Sequence, residues 1–118
     1  MGWTQWKKLA SRTDWYPDSL DYDGAACYEL GIKRKWKHDL IPTYVGKTGN
    51  LKTRMSQYAR NGSHLRKLLV KYWKYDYVLW FRYYPLENEA KAKTMEEKSL
   101  SDFGLERYPW NSNLGGGQ

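Results

Sequence analysis

The hydrophobic positions of residues 50–74 follow the period of an α-helix. Asn50 is a good N-cap, and the helix that it starts is expected to end at Asn61 and Gly62. Ser63 caps a second helix, and both helices carry an apolar stripe. The stripes consist of Leu51, Met55, Tyr58 and Ala59 in the first helix, and of Leu65, Leu68, Leu69 and Tyr72 in the second. The pattern therefore predicts two consecutive amphipathic helices.

Other segments are rich in β-branched and aromatic residues and predict strands. The run Tyr-Val-Leu-Trp-Phe-Arg-Tyr-Tyr between Asp76 and Pro85 is too apolar for a surface helix and predicts a central strand. Residues 25–31 and 40–46 predict two further strands, which pair as a hairpin. The basic residues 33–39 form the long loop between these two strands.

The two ends of the chain predict further helices. Asn88 caps a helix that runs to Phe103, with Gly104 in the C′ position, and residues 4–12 predict a short helix. The order of elements predicts an α+β fold, in which a small three-stranded sheet is flanked by helices.

Size and composition narrow the class of protein. The 118 residues are enough to bury one core, so we expect a single domain. No apolar run reaches the roughly 18 residues of a membrane span, and the N-terminus lacks the apolar stretch of a signal peptide. The single cysteine, Cys27, excludes an intrachain disulfide and a zinc site of the CxxC kind. We therefore expect a cytoplasmic protein with no membrane partner.

The net charge of +7 is concentrated in the middle of the sequence. Residues 33–74 contain twelve basic side chains and one acidic side chain, whereas each flank is slightly acidic. Such a field favours a nucleic-acid partner over a merely solvated basic face. The candidate contacts are Lys33, Arg34, Lys35, Lys37, Lys52, Arg60, Arg66 and Lys67.

Glu96 is the most informative acidic residue. At 100° per residue it shares a helix face with Ala92, Leu100 and Phe103, so its carboxylate is expected to face the sheet. A carboxylate there needs a cation or a metal ion. The alternative is a rotated helix that places Glu96 at the rim, paired with Lys93 or Lys98. The two histidines, His38 and His64, receive no metal-binding role, because neither has a second ligand nearby in the sequence.

Taken in order, several short motifs resemble the GIY-YIG nuclease domain. They are Ala26-Cys27-Tyr28, Tyr44-Val45-Gly46-Lys47-Thr48, Asn50-Leu51-Lys52-Thr53-Arg54, Tyr58, Glu96 and Trp110-Asn111. The first motif keeps only the tyrosine of Gly-Ile-Tyr. The resemblance implies a GIY-YIG-like α/β sandwich over residues 24–113, preceded by an extension at 1–23 and followed by a flexible tail at 114–118.

The resemblance also implies metal-dependent phosphodiester hydrolysis and a role for each matching residue. Glu96 would hold one Mg²⁺ or Mn²⁺ ion, and Arg54 would bind the scissile phosphate. Tyr28, assisted by Tyr44, would contact or deprotonate the attacking water. A tyrosine with a pKa near 10 is a poor base, so a cation such as Lys47 or the metal ion would have to lower that pKa.

Two further positions complete the implied site. Tyr58 would contact the phosphate or the water. Asn111 would orient the phosphate or close the site, and Asn113 competes for that role because its spacing from Glu96 is equally acceptable.

The expected function is that of an endonuclease, a hydrolase that cleaves DNA as a monomer or a homodimer. The alternative is a non-catalytic nucleic-acid-binding module on the same scaffold. The complete set of tyrosines, with Arg54 and Glu96, favours the enzyme, because binding alone would not require a metal-facing carboxylate.

Overall fold

An antiparallel sheet organises the chain, and helices pack on both of its faces. The computed structural model describes residues 2–60 and 62–113, the last two by their backbone only. The strands are β1 (Lys7–Ala10), β2 (Ala26–Arg34), β3 (Ile41–Thr48) and β4 (Tyr77–Pro85). The helices are α1 (Leu51–Ala59), α2 (Arg66–Lys74), α3 (Glu89–Arg107) and α4 (Pro109–Asn113). The spatial order of the strands is β1-β4-β2-β3, so β4 is an interior strand, as its aromatic run predicts.

The sheet has four strands rather than the expected three, and the helix expected over residues 4–12 is wrong. Residues in that segment form β1, in which Lys7 pairs with Phe81 and Lys8 with Trp80. Without β1, one side of β4 would expose unpaired N–H and C=O groups. This distant pairing prevails over the local pattern, and it makes the N-terminal extension part of the sheet.

Local helix signals give most of the helix boundaries. Asn50 accepts a hydrogen bond from the Thr53 N–H at 3.0 Å and caps α1. Helix α1 ends at Ala59, and Asn61, where it was expected to end, lies outside the described residues. Ser63 does not cap α2 directly, because its side chain accepts from the N–H of Leu65 in the turn before the helix.

The start of α3 follows the sequence, whereas its end does not. Asn88 caps α3 through the N–H of Lys91. Gly104 has a φ of +66° and a ψ of −168°, so it kinks the helix, which continues to Arg107 instead of ending at Phe103 as expected. The loop after β2 is shorter than expected, because β2 continues through Lys33 to Arg34.

The two faces of the sheet carry different cores. Pairing of β2 with β4 brings Tyr28 to Tyr83 and Leu30 to Phe81 on the face covered by α1 and α2. Cys27 and Val45 point to the other face, where they pack with Tyr108 and with residues of α3. Among the described residues, no helix is both long and apolar enough to cross a membrane.

Glu29 is a buried carboxylate with three partners on the α3 face. It is 1% exposed and accepts hydrogen bonds from Arg82 at 2.7 Å, from Arg107 at 3.1 Å and from the Tyr108 hydroxyl. Burial alone would raise the pKa of Glu29, but these hydrogen bonds outweigh burial and hold the pKa below its usual value. The network joins β2, β4 and the end of α3.

We expect Glu29→Gln to lower the free energy of unfolding by about 3 kcal/mol, because it leaves two arginines without their shared anion. Denaturant unfolding measures the change, and Glu106→Gln, at an exposed position of α3, is the control with the same change of charge. A loss equal to that of the control would contradict a stabilising role for the network.

The same carboxylate predicts a loss of stability in acid. Because the folded pKa of Glu29 lies below the unfolded pKa, its contribution is present above the unfolded value and disappears as the pH falls through the folded value. We therefore expect the free energy of unfolding to fall below about pH 4, and to fall less in Glu29→Gln. Parallel acid-dependent slopes in the two proteins would contradict this assignment.

Candidate active site

Three tyrosines from three elements meet on the α1 face of the sheet. The hydroxyls of Tyr28 on β2 and Tyr58 on α1 are hydrogen-bonded at 2.6 Å, and both side chains are buried. The Tyr44 ring on β3 lies 6.3 Å from that of Tyr28, measured between centroids. Helical spacing turns Tyr58 inward on α1, and pairing of β2 with β3 brings Tyr28 and Tyr44 to the same face.

Gly46 provides the space for this cluster. It is paired directly with Tyr28 across β2 and β3. A Cβ atom at position 46 would lie 2.5 Å from the Tyr28 hydroxyl oxygen and 3.0 Å from the Tyr44 ring. The glycine of the Tyr-Val-Gly motif is therefore required because the Tyr28 side chain crosses directly over its backbone.

Arg54 brings a positive charge to the three hydroxyls. It lies one turn before Tyr58 on α1 and is partly exposed, so its guanidinium borders both the buried cluster and solvent. Burial raises the pKa of Tyr28 well above 10, and the opposing effect of Arg54 is smaller. Burial likewise raises the pKa values of Tyr44 and Tyr58. The Arg54 charge therefore does not make Tyr28 a base, and a lowering of its pKa by Lys47 or by a metal ion stays a prediction.

His64 belongs to the cluster, although the sequence pattern indicates no role for it. Its Nε2 atom is hydrogen-bonded to the Tyr44 hydroxyl at 3.2 Å. Its ring centroid lies 5.7 Å from that of Tyr44 and 6.2 Å from that of Tyr58. Burial, together with the charge of Arg54, lowers the pKa of His64 below 6.5. The one sequence signal for His64 was its position shortly after α1, close to Tyr58 along the chain. The other histidine, His38, is exposed in the hairpin loop.

Glu96 is partly buried on α3, the helix that packs against β3 and β2. Burial raises the pKa of Glu96, Lys47 opposes this, and the Glu96 charge in turn raises the pKa values of Tyr44 and Cys27. No hydrogen bond or ion pair links Glu96 to another residue in the described part of the chain.

Neither lysine of the rotated-helix alternative forms an ion pair with Glu96. Lys98 is paired with Asp102 at 2.9 Å, and Lys93 is exposed. The expected helix face is only partly correct, because Ala92 is buried whereas Phe103 is 56% exposed. The glycine kink just after Phe103 ends the regular part of this face.

Lys47 and Asn111 are held by partners of their own. Lys47 forms an ion pair with Glu89, with 2.5 Å between Nζ and Oε2. The Asn111 side chain accepts from the Val45 N–H at 3.0 Å and donates to the Val45 carbonyl at 3.1 Å. Asn111 therefore bonds to the outer edge of β3, while the side chain of Asn113 lies outside the described residues.

The residues expected to bind nucleic acid are spread over several surfaces, and four of them contact aromatic rings. Lys33 lies over Trp80, Arg34 over Tyr77, Lys35 over Trp36 and Arg60 over Trp15. Lys37, Lys52, Arg66 and Lys67 are exposed. The surface aromatics thus already hold cations, which fixes the positions of several positive charges.

A family model described as "GIY-YIG domain-containing protein" matches residues 25–118 of this chain. The chain belongs to the GIY-YIG family. This is a family of nucleases, and its match begins just before β2, so that β1 lies outside it. Separate searches of curated proteins and of solved structures found no match.

We expect Gly46→Ala to destabilise this GIY-YIG domain by about 1–3 kcal/mol, because the added methyl group overlaps the Tyr28 side chain. Gly62→Ala is the matched control, since a Cβ there would make only ordinary contacts, 3.6 Å from Gln57 O. Denaturant unfolding compares the two variants. Equal stabilities would show that Tyr28 does not need its close approach to the β3 backbone.

Proposed function

We propose that this GIY-YIG protein is a metal-dependent endonuclease that hydrolyses phosphodiester bonds of DNA. One observation carries the proposal. The fold brings an arginine and three tyrosine hydroxyls together, and it leaves a carboxylate beside β3 without an ion-pair partner among the described residues. A binding module would gain nothing from that carboxylate, since it repels phosphate.

Arg54 is the residue that binds the scissile phosphate in this proposal. Its guanidinium donates in a planar fork, which suits the oxygens of a phosphate whose charge is being redistributed. The neutral Tyr58 hydroxyl, which is hydrogen-bonded to Tyr28, orients it, because the Tyr58 oxygen accepts a hydrogen bond from the guanidinium. The hydrogen bond between the two tyrosines fixes both rings, so they position Arg54 and the attacking water without losing a proton.

Tyr44 and His64 provide a route for the proton of the attacking water. At neutral pH the imidazole is uncharged, and its Nε2 accepts from the Tyr44 hydroxyl when the ring proton is on Nδ1. As the water oxygen attacks phosphorus, its proton passes to the Tyr44 oxygen and the Tyr44 proton passes to Nε2. The tyrosine stays neutral throughout, so its high pKa is no obstacle.

Glu96 would hold the divalent ion. The described residues contain no group of three or more His, Cys, Asp or Glu side chains that could form a metal cage. This fits Mg²⁺ or Mn²⁺, because such ions are commonly held by one or two carboxylates together with waters and substrate phosphate oxygens. When bound, the ion would supply charge neutralisation at the phosphate and a lower pKa for water.

We further propose that the protein acts in the cytoplasm as a monomer or a homodimer. Cys27, the one cysteine of the sequence, is buried as a free thiol, which fits a reducing compartment.

Glu96→Gln is expected to reduce cleavage of plasmid DNA at least 100-fold, while DNA binding stays equal or becomes tighter because one negative charge is removed. Cleavage is followed with Mg²⁺ and with EDTA, and binding is measured in EDTA. Glu97→Gln, the exposed neighbour on α3, should cleave like the parent. If the parent binds DNA but never cuts with any divalent ion, the non-catalytic binding module is the correct reading.

The rate of cleavage is expected to fall in acid as His64 becomes protonated. Because its pKa lies below 6.5, the acidic limb of kcat/KM should lie below pH 6.5 and fall about tenfold per pH unit. His64→Ala should slow cleavage about 100-fold and remove the limb that protonation of His64 causes.

Two further variants test the proton route. His38→Ala, which changes the exposed histidine, should keep the parent profile. Tyr44→Phe should cost about as much as His64→Ala, and the double variant little more, because the two groups act in series. Additive losses would show that Tyr44 and His64 do not share one proton route.

A further inference from the structure

A second polar site lies at the far end of the sheet. A cleft of about 130 Å³ opens where the ends of β1 and β2 approach the start of β4. Its lining includes Lys8, Arg12, Lys33 and Lys35 together with the indoles of Trp73 and Trp80. We call it the indole cleft.

Two cations of the cleft are held over one ring. The ammonium groups of Lys8 and Lys33 lie 5.8 Å and 4.7 Å from the centroid of the Trp80 ring. In the described part of the chain neither lysine forms an ion pair, and the same is true of Arg12 and Lys35. Both ammonium groups therefore keep an uncompensated positive charge, so an anion bound beside them would be stabilised.

The indoles add hydrogen-bond donors that have no acceptor. Trp73 is only 6% exposed, and the Nε1 atoms of Trp73 and Trp80 are buried without a partner within residues 2–60 and 62–113. Buried donors are nearly always satisfied, and an unsatisfied one costs about 1–3 kcal/mol. Both residues line the indole cleft, but their Nε1 atoms are closed to solvent, so these N–H groups report on an occupant of the cleft rather than bind it.

Acidic groups do not cancel the positive charge of the cleft. Asp14 and Asp76 also line it. The Asp14 carboxylate accepts from the Ser11 and Thr13 hydroxyls, and neither aspartate pairs with a cleft lysine. With four cations against two aspartates, the lining remains positive and suits an acceptor-rich anion.

We propose that the indole cleft binds one phosphate group of the nucleic-acid strand, outside the cleavage site. The four cations of the lining would neutralise the phosphate and donate to its oxygens. A nucleic-acid strand as the source of the phosphate rests on the proposed function. The cleft thereby gives the enzyme a second contact with its substrate.

The position of the cleft sets a minimum length for that substrate. Lys33 is five residues beyond Tyr28 on β2 and points to the opposite face, about 16 Å along the strand. A nucleic acid that occupies both sites must therefore extend at least about five steps of about 3.4 Å past the cut, since the path around the sheet is longer than the distance along the strand.

The first test is the salt dependence of binding to a labelled 30-base-pair duplex in EDTA. The double variant Lys8→Gln/Lys33→Gln should weaken binding and reduce the slope of log K against log salt by about 0.9, the value for one phosphate. The control is Lys91→Gln/Lys98→Gln, which removes two α3 lysines that already pair with Glu87 and Asp102. An unchanged slope in the Lys8/Lys33 variant would overturn the proposal.

The second test observes the indole N–H groups directly by ¹⁵N NMR. Addition of the duplex should shift the Trp73 and Trp80 Nε1–H signals, identified with Trp73→Phe and Trp80→Phe, and should leave the signal of Trp3 in place. Inorganic phosphate should cause the same shifts only at far higher concentration. Shifts with inorganic phosphate alone would overturn a nucleic-acid occupant.

Both tests are independent of cleavage. If the parent cuts DNA, but the Lys8/Lys33 variant keeps the parent's salt slope and the indole signals do not shift, phosphate binding in the indole cleft is refuted and the nuclease proposal stands. If the parent never cuts DNA, but the variant loses salt slope and the indole signals shift, the proposed enzyme is refuted and phosphate binding in the indole cleft is supported.

Discussion

A buried carboxylate with three donors anchors the C-terminal end of α3 to the sheet. Glu29 cannot be left uncompensated at 1% exposure, so Arg82 of the sheet, Arg107 of α3 and Tyr108 must all converge on it. This convergence holds the end of α3 against β2 and β4. The network thereby positions the segment after the Gly104 kink and the place where α4 begins.

The opposite face of β2 carries a buried tyrosine hydroxyl instead of a carboxylate. Tyr28 follows Cys27 and precedes Glu29, so adjacent residues of one strand serve the two sides of the sheet. On the tyrosine side burial favours neutral hydroxyls, and a permanently charged arginine lies among them. Such an environment stores no negative charge of its own and leaves Arg54 free to attract an anion.

Local signals in the sequence were sufficient for parts of the fold and the site. The stripe and cap of α1 place Tyr58 inward, and the Asn88 cap starts the helix on which Glu96 lies partly buried. Strand β1 was missed because its partner, β4, lies about 70 residues away along the chain, and the pattern of residues 7–10 does not indicate a strand. His64 was missed for a related reason: a turn without periodicity, followed by a contact with β3, brings it to Tyr44.

The bond between Asn111 and Val45 bears on how the molecule behaves among copies of itself. β3 is a terminal strand of the sheet, and such a strand invites another chain to continue the ladder. The Asn111 amide offers one acceptor and one donor to a single residue of β3, just as the peptide group of an added strand would. The side chain thus occupies both backbone hydrogen-bonding groups of Val45, which discourages strand-to-strand association at that edge.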